Sequence, residues 1–291
     1  MAKTRFTKSK KNSQAKEVWR RFKKSKTAMI GLIMLAIILC VAIFADIIVP
    51  YEVAITQTGK ERFQGPRADH FFGTDDLGRD MFARVVHGSR YSLLIGISTS
   101  LIALVIGGFL GATAGYYGGV VDNIIMRVMD VFMSVPPVLL SLAVVAALGP
   151  NLRNLLIAIT ISCVPSTVRL IRSVVLTVVD QDYIETARSY SSTDLRIILK
   201  YVIPNAMGPI IVNTTMGIAT MILSAAGLSF IGMGVQPPAP EWGALLSAAR
   251  QHMFTAPYLL YFPGFAILLA ALSFNLVGDG LRDALDPKLK D

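Results

Sequence analysis

The sequence is short of charge, of histidine and, above all, of cysteine. Lysine, arginine, aspartate and glutamate make up 16% of the 291 residues against 53% hydrophobic, and the mean hydropathy is +0.57. That balance excludes a water-soluble domain of this size. The two cysteines, Cys40 and Cys163, both lie in apolar runs, which excludes a disulfide framework and a cysteine zinc site. His70, His87 and His252 are scattered, with no H-E-x-x-H or carboxylate spacing, so no metal site is expected. No G-x-x-x-x-G-K-S/T run occurs, so the backbone cradle that holds nucleotide phosphates is missing. No catalytic residue and no bound cofactor is therefore expected of this chain.

What is present is apolar length. About 20 consecutive apolar residues cross a hydrocarbon core, and six runs approach or exceed that length. They cover roughly residues 28–49, 93–116, 136–149, 155–176, 209–230 and 259–276, the last closed by Gly278-Asp279-Gly280. Backbone facing lipid must satisfy its own hydrogen bonds, so the fold class is all-α: a polytopic bundle of six transmembrane helices. A cleaved signal peptide does not fit the first run, which is too long, lacks a small-x-small cleavage site and carries Asp46 near its end.

Eleven lysines and arginines against Glu17 precede Ala28, which places the N-terminus in the cytoplasm and, after six spans, the C-terminus also. The chain then divides into a basic cytoplasmic tail (1–27), a first transmembrane helix (28–49), an extracytoplasmic loop (50–92) and a five-helix core (93–291) with a cytoplasmic loop at 178–205. The net charge of +9 sits mostly in that tail, beside a span. Attraction to anionic lipid accounts for it at about 1 kcal/mol per basic residue, and no nucleic-acid partner is implied.

Ion-coupled transporters place ionisable groups in mid-membrane, yet the second, fifth and sixth runs hold none. Asp46, Arg127 and Asp130 lie near run ends, and Arg127 and Asp130 are spaced for a local helical pair. Asp279, Arg282, Asp283 and Asp286 are spaced for mutual pairing at the inner face. Pro165 should bend the fourth span. Gly107, Gly111, Gly115 and Gly119 recur every four residues, a bare ridge for close helix packing. Gly73, Asp75, Gly78, Arg79 and Asp80 concentrate turn formers and opposite charges, as a bonded cap or a contact surface at the outer face would.

The loop at 178–205 is the most informative segment. Tyr183 to Tyr190 has helical composition with Glu185 in its first turn. Ser191-Ser192-Thr193 interrupts it, and Thr193 with Asp194 opens a second helix that Pro204 should stop. Two short helices between spans form either a projection that fits a groove in another protein or an amphipathic linker lying on the membrane.

Here the sequence resembles a known family. Tyr183-Ile184-Glu185-Thr186-Ala187, then Ser191, then Tyr201-Val202-Ile203-Pro204-Asn205, is similar to the E-A-A-x-x-x-G and I-x-L-P loop of bacterial ABC importer permeases. Thr186 replaces an alanine, Ser191 the glycine, Tyr201 an isoleucine and Ile203 a leucine. Ser191 bears on the turn, because serine takes positive φ less readily than glycine. Phe72-Gly73-Thr74-Asp75, Gly78-Arg79-Asp80, Ala114-Gly115-Tyr116-Tyr117-Gly118-Gly119, Gln236-Pro237-Pro238, Trp242-Gly243 and Gly278 to Pro287 follow in the order found in dipeptide, oligopeptide and nickel permeases.

The resemblance implies the type I importer permease fold in a bacterial or archaeal cell membrane. It implies the second, C-type permease, with a homologous second permease, two ATPase subunits and an extracytoplasmic substrate-binding protein as partners. ATP and Mg2+ would bind those ATPases, which Tyr183, Glu185, Thr186, Ala187, Ser191, Pro204 and Asn205 would meet as a coupling helix. Gly73, Asp75, Gly78, Arg79 and Asp80 lie where a binding protein would touch. Cargo would be di- or oligopeptides, with nickel or another small solute as the alternative. A secondary transporter or channel would instead follow ion gradients without ATPases, and an anchored enzyme would show a catalytic constellation.

Overall fold

The computed structural model describes residues 14–190 and 192–286. In order these form α1 (Gln14–Phe22), α2 (Lys26–Ile43), α3 (Ala45–Ile48), α4 (Tyr51–Ile55), α5 (Met81–Tyr117), α6 (Gly119–Met133), α7 (Pro137–Leu148) and α8 (Leu152–Val179). Two short helices, α9 (Asp182–Ser189) and α10 (Asp194–Ile197), lead to α11 (Ile203–Phe230), α12 (Trp242–Ala249) and α13 (Tyr258–Leu285). Among the described residues extended pairing is limited to two isolated bridges, in the segment before α5.

Five helices are long and apolar enough to cross a membrane, counting Asp194–Phe230 as one, and α6 with α7 would make a sixth span bent by 79°. The six expected runs are all there with different edges. The third is the most altered: the expected run at 136–149 is α7 alone, and α6 precedes it across Ser134-Val135-Pro136. The first run bends after Ile43 into α3. The tail is not featureless either: α1 buries Phe22 against Ala28, Val277 and Ala284.

Two expected stops, Pro204 and Gly278-Asp279-Gly280, do not stop a helix. Pro204 lies in the first turn of α11, directly after a π-turn at Ile198–Val202, where the ladder has already slipped by one residue and needs no donor from proline. Pro165 lies within α8, which continues through it although proline supplies no N–H to the carbonyl four residues back. The hydroxyls of Ser166 and Thr167 donate to the Cys163 carbonyl, at 2.8 and 3.1 Å. Gly278 and Gly280 lie inside α13, where they let Met216 and Ala28 approach the backbone.

α5 is the long member, with 37 residues. At about 1.5 Å per residue it measures roughly 55 Å, well over a hydrocarbon core. Asp80 caps its start by accepting from the Ala83 N–H at 2.8 Å, and Gly118, at φ +62°, ends it where a side chain would be strained. α5 therefore joins two ends of the bundle. At the cap end sit the 58–90 segment and α12; at the loop end sit α9, α10, α1 and the close of α13.

Candidate functional site

At the loop end α9 is amphipathic. Ile184 and Ala187 face inward and are buried with Ala112, Tyr116, Ile171, Val175, Ile197, Val202 and Ala206, one apolar cluster drawn from α5, α8, α10 and α11. The outward side carries Tyr183, Glu185, Thr186, Arg188, Ser189 and Tyr190, all exposed, with Leu195, Leu199, Pro204 and Asn205 continuing that surface. Ala187 is small because the chain's own bundle closes on it. Ser191 lies outside the described residues. Thr193 occupies the cap position of α10 in extended geometry but makes no side-chain capping bond.

Two residues that the motif does not include tie this projection to the bundle. The hydroxyl of Tyr116, in the last turn of α5, donates to Asp194 Oδ1 at 2.7 Å. The guanidinium of Arg188 lies over the Tyr116 ring, 5.0 Å from its centroid. The Tyr116-Tyr117 pair stood among the resembling segments, but nothing in its local spacing points to a partner 78 residues on.

The glycine ridge splits. A side chain at Gly107, Gly111 or Gly115 would meet α8: Thr167 Cγ2 at 2.7 Å, the Val168 carbonyl at 2.6 Å and Val175 Cγ1 at 2.8 Å respectively. Gly119 is not part of that contact. It opens α6 at φ +52° with nothing within 4 Å. Ion pairs bind α6 to α8 as well, since Asp122 pairs with Arg172 and Asp130 with Arg169 at 2.7 Å. Asp130 thus finds a tertiary partner rather than Arg127. Asp46 likewise pairs with Arg90 of α5 at 2.7 Å. Among the described residues no ion pair joins Arg282 to Asp279 or Asp283.

The cap end is built on Asp75. Its carboxylate accepts from the Leu77 and Arg79 N–H groups at 2.9 Å each and from Arg79 Nε at 2.7 Å, and Arg84 Nη1 lies 3.2 Å away. Asp75, Arg79 and Arg84 are all buried. Gly73 and Gly78 take φ of +76° and +78°, with Tyr258 and Thr58 packed where a side chain would stand. Asp80 also accepts or shares a bond with His70 Nδ1 at 2.8 Å. The exposed surface of this cap instead includes Arg62, Phe63, Arg67, Asp69, Phe71 and, beyond α12, Phe254.

α12 is fastened to α5 by a carboxylate missed in the sequence. Glu241 caps α12, accepting from the Gly243 and Ala244 N–H groups at 2.9 Å and from Ser92 Oγ at 3.2 Å, and it is almost wholly buried. Burial pushes its pKa above the ordinary glutamate value, while the hydrogen bonds oppose the shift. Trp242 Nε1 donates to the Val85 carbonyl at 2.9 Å across the space left by Gly88. Among the described residues no three histidine, cysteine or acidic side chains converge as metal ligands do.

Residues 89–291 match the binding-protein-dependent transport system inner membrane component model, and residues 13–66 match the N-terminal transmembrane domain of oligopeptide transport permease C. The chain is 46% identical over 275 residues to the dipeptide transport system permease protein DppC of Alkalihalophilus pseudofirmus, covering 94% of this chain and 90% of that one. It is 46% identical over 274 residues to the glutathione transport system permease protein GsiD of Escherichia coli, with the same coverage. It is 43% identical over 284 residues to the di/tripeptide transport system permease protein DppC of Pseudomonas aeruginosa, covering 96% and 94%. Among solved structures, an inward-facing form of the MetNI methionine ABC transporter superposes with a TM-score of 0.58 at 17% identity, over 71% of this chain and 98% of that one.

Proposed function

The chain belongs to the family of binding-protein-dependent transport system inner membrane components, and we propose that it passes di- or oligopeptides inward using ATP hydrolysed on other subunits. It is a multi-pass membrane permease of an ABC importer. Small peptides are the cargo that fits, since the relatives above carry dipeptides, di/tripeptides and glutathione; nickel is not favoured.

In this reading the chain pairs with a homologous permease, and the projection at 182–205 docks on one of two ATPase subunits on the cytoplasmic side. The cap end faces outward, where a substrate-binding protein delivers cargo. ATP and Mg2+ act on the ATPases. This chain's part is mechanical: the outward face of α9 meets the ATPase, and the apolar inner face together with the Tyr116–Asp194 bond carries displacement into α5. A ligand shifts a conformational equilibrium only by its differential affinity for the two states. Nucleotide must therefore change the seat of α9, and α9 must be joined to the spans.

The observation that carries this reading is a projection exposed on one side and bonded to the bundle on the other. Deleting residues 185–191 tests it. ATP-driven uptake is expected to vanish while membrane insertion persists; normal uptake by the deletion variant would sink the lever assignment.

A further inference from the structure

The exposed surface of this bundle is apolar almost everywhere. α5 shows Leu101, Val105 and Phe109, α6 shows Val120 and Val131, and α13 shows Phe265 and Leu268, as lipid-facing helices do. α8 is the exception. In 28 residues it exposes one large hydrophobic side chain, Ile157. Its open side instead carries Ser162, Ser166, Arg169, Ser173 and Thr177, half-buried or exposed, at successive steps of three or four residues along one face. On α11, Asn213, Thr220 and Ser224 repeat the pattern.

The two stripes meet. A cleft of about 290 Å³ between α5, α8 and α11 is lined in part by Ser166, Asn213 and Thr220. A second, of about 540 Å³ and nearer the cap end, is lined in part by Ser162, Ser166, Thr220 and Ser224. Ser166 and Thr220 line both, so the clefts run together as one groove along the membrane-crossing part of the chain.

Hydroxyls and amides at mid-membrane are costly against lipid and persist where they face protein or water. Ser162, Ser166 and Ser173 donate to carbonyls of their own helix at 2.9, 2.8 and 2.7 Å, and one N–H of the Asn213 amide donates to the Pro209 carbonyl at 2.9 Å. The second N–H of that amide is outside this bond, and the Ser162 oxygen also accepts from Ser141 Oγ at 2.8 Å, so the wall offers uncharged donors as well as acceptors. The one cation on the stripe, Arg169, is neutralised by Asp130.

We infer that the α8–α11 groove is this subunit's wall of the peptide path, a water-filled half-channel whose uncharged hydroxyls and amide exchange hydrogen bonds with the backbone of a passing peptide. Polar groups without net charge bind weakly and at many points, which lets a solute both enter and leave. They also leave peptide side-chain charge nearly unread, so selection falls to the protein that delivers the cargo. The inference rests on the permease reading above and adds the face and its chemistry.

Thiol accessibility in the assembled transporter tests it. In a Cys40→Ser, Cys163→Ala parent, single cysteines are placed at Ser166, Asn213 and Thr220, with Val105 and Leu268 as apolar controls. A membrane-impermeant cationic methanethiosulfonate is then applied from both sides. Stripe positions should react at least about tenfold faster than controls, because a thiol held in hydrocarbon has its pKa raised by a unit or more. Saturating peptide-loaded binding protein with ATP should change those rates and leave the controls alone. Stripe cysteines as inert as Val105→Cys and Leu268→Cys would overturn the inference. Dipeptide uptake by the unmodified parent, measured in parallel, reports on the permease reading by itself, so the two failures are distinguishable.

Discussion

Tyr116 and Asp194 stand 78 residues apart in sequence and 2.7 Å apart at their side-chain oxygens. One closes the last turn of the longest helix, and the other begins the second helix of the loop. The contact is therefore the polar joint between the projection and the bundle.

Breaking that joint should loosen coupling before it harms folding. Removal of one such hydrogen bond costs about 1 kcal/mol, roughly fivefold in an equilibrium. Tyr116→Phe keeps the ring in its apolar cluster and the contact with Arg188, and loses only the donor. The stimulation of ATP hydrolysis by loaded binding protein is expected to drop about fivefold, with complex yield and melting temperature unchanged. Asp194→Ala, which removes the acceptor, should behave alike, and the double variant should be no worse than either single one. Full stimulation in Tyr116→Phe would show that the joint transmits nothing.

Glycines of one spacing should separate into two classes. Gly111→Val drives a side chain into the Val168 carbonyl and Ile171, and overpacking of this kind costs about 1–3 kcal/mol. Gly119→Ala meets no neighbour and costs only the strain of its positive φ, about 1 kcal/mol. Melting temperatures of the purified complex should rank Gly111→Val well below Gly119→Ala. Equal loss at both would refute the split of the ridge.

The buried carboxylate at the cap is a third test. Asp75→Asn leaves Arg84 buried without its counter-ion and Arg79 with only Asp76 at 3.7 Å, and removal of one partner from such a group costs about 3–5 kcal/mol. The variant should accumulate poorly and melt early, while Asp76→Asn, at a half-exposed position, should be close to neutral.

These outcomes also mark what could be read from the residues alone. The apolar runs and the loop motif were legible because they are local: length and spacing carry them. The α6–α8 ion pairs were not, because Asp130 has Arg127 at helical spacing and only tertiary packing delivers Arg169. Pro204 and Gly278-Asp279-Gly280 read as breaks by the rules of water, where a freed carbonyl finds a partner at once. In a bundle surrounded by lipid the helix continues, helped by a π-turn or by a close neighbour. The exposed Glu185 and the inward Ala187 were both in the motif, but only packing tells which side of α9 is free.

Glu241 gives a pH-dependent test outside the spans. Its folded pKa is raised by burial, so the protonated form is the better fit to the fold. Its contribution to stability is complete below the ordinary glutamate value and is lost as pH rises through the folded value. Gln keeps one acceptor oxygen but sets a donor-only nitrogen where Oε2 or Oε1 accepts a backbone N–H. Glu241→Gln should thus melt below the parent in mild acid, and the gap should narrow as pH rises toward 8 because only the parent loses stability there. A gap that instead widens from pH 5 to 8 would show that the helix-cap hydrogen bonds outweigh burial.

The driving energy should enter at the 182–205 loop. Labelled dipeptide uptake should be measured in proteoliposomes holding the permease pair and ATPases, with loaded binding protein at the cap side. Uptake is predicted only when ATP is present on the side of the 182–205 loop, and it should be indifferent to dissipated ion gradients. Uptake that follows an ion gradient and proceeds without the ATPase subunits would contradict it.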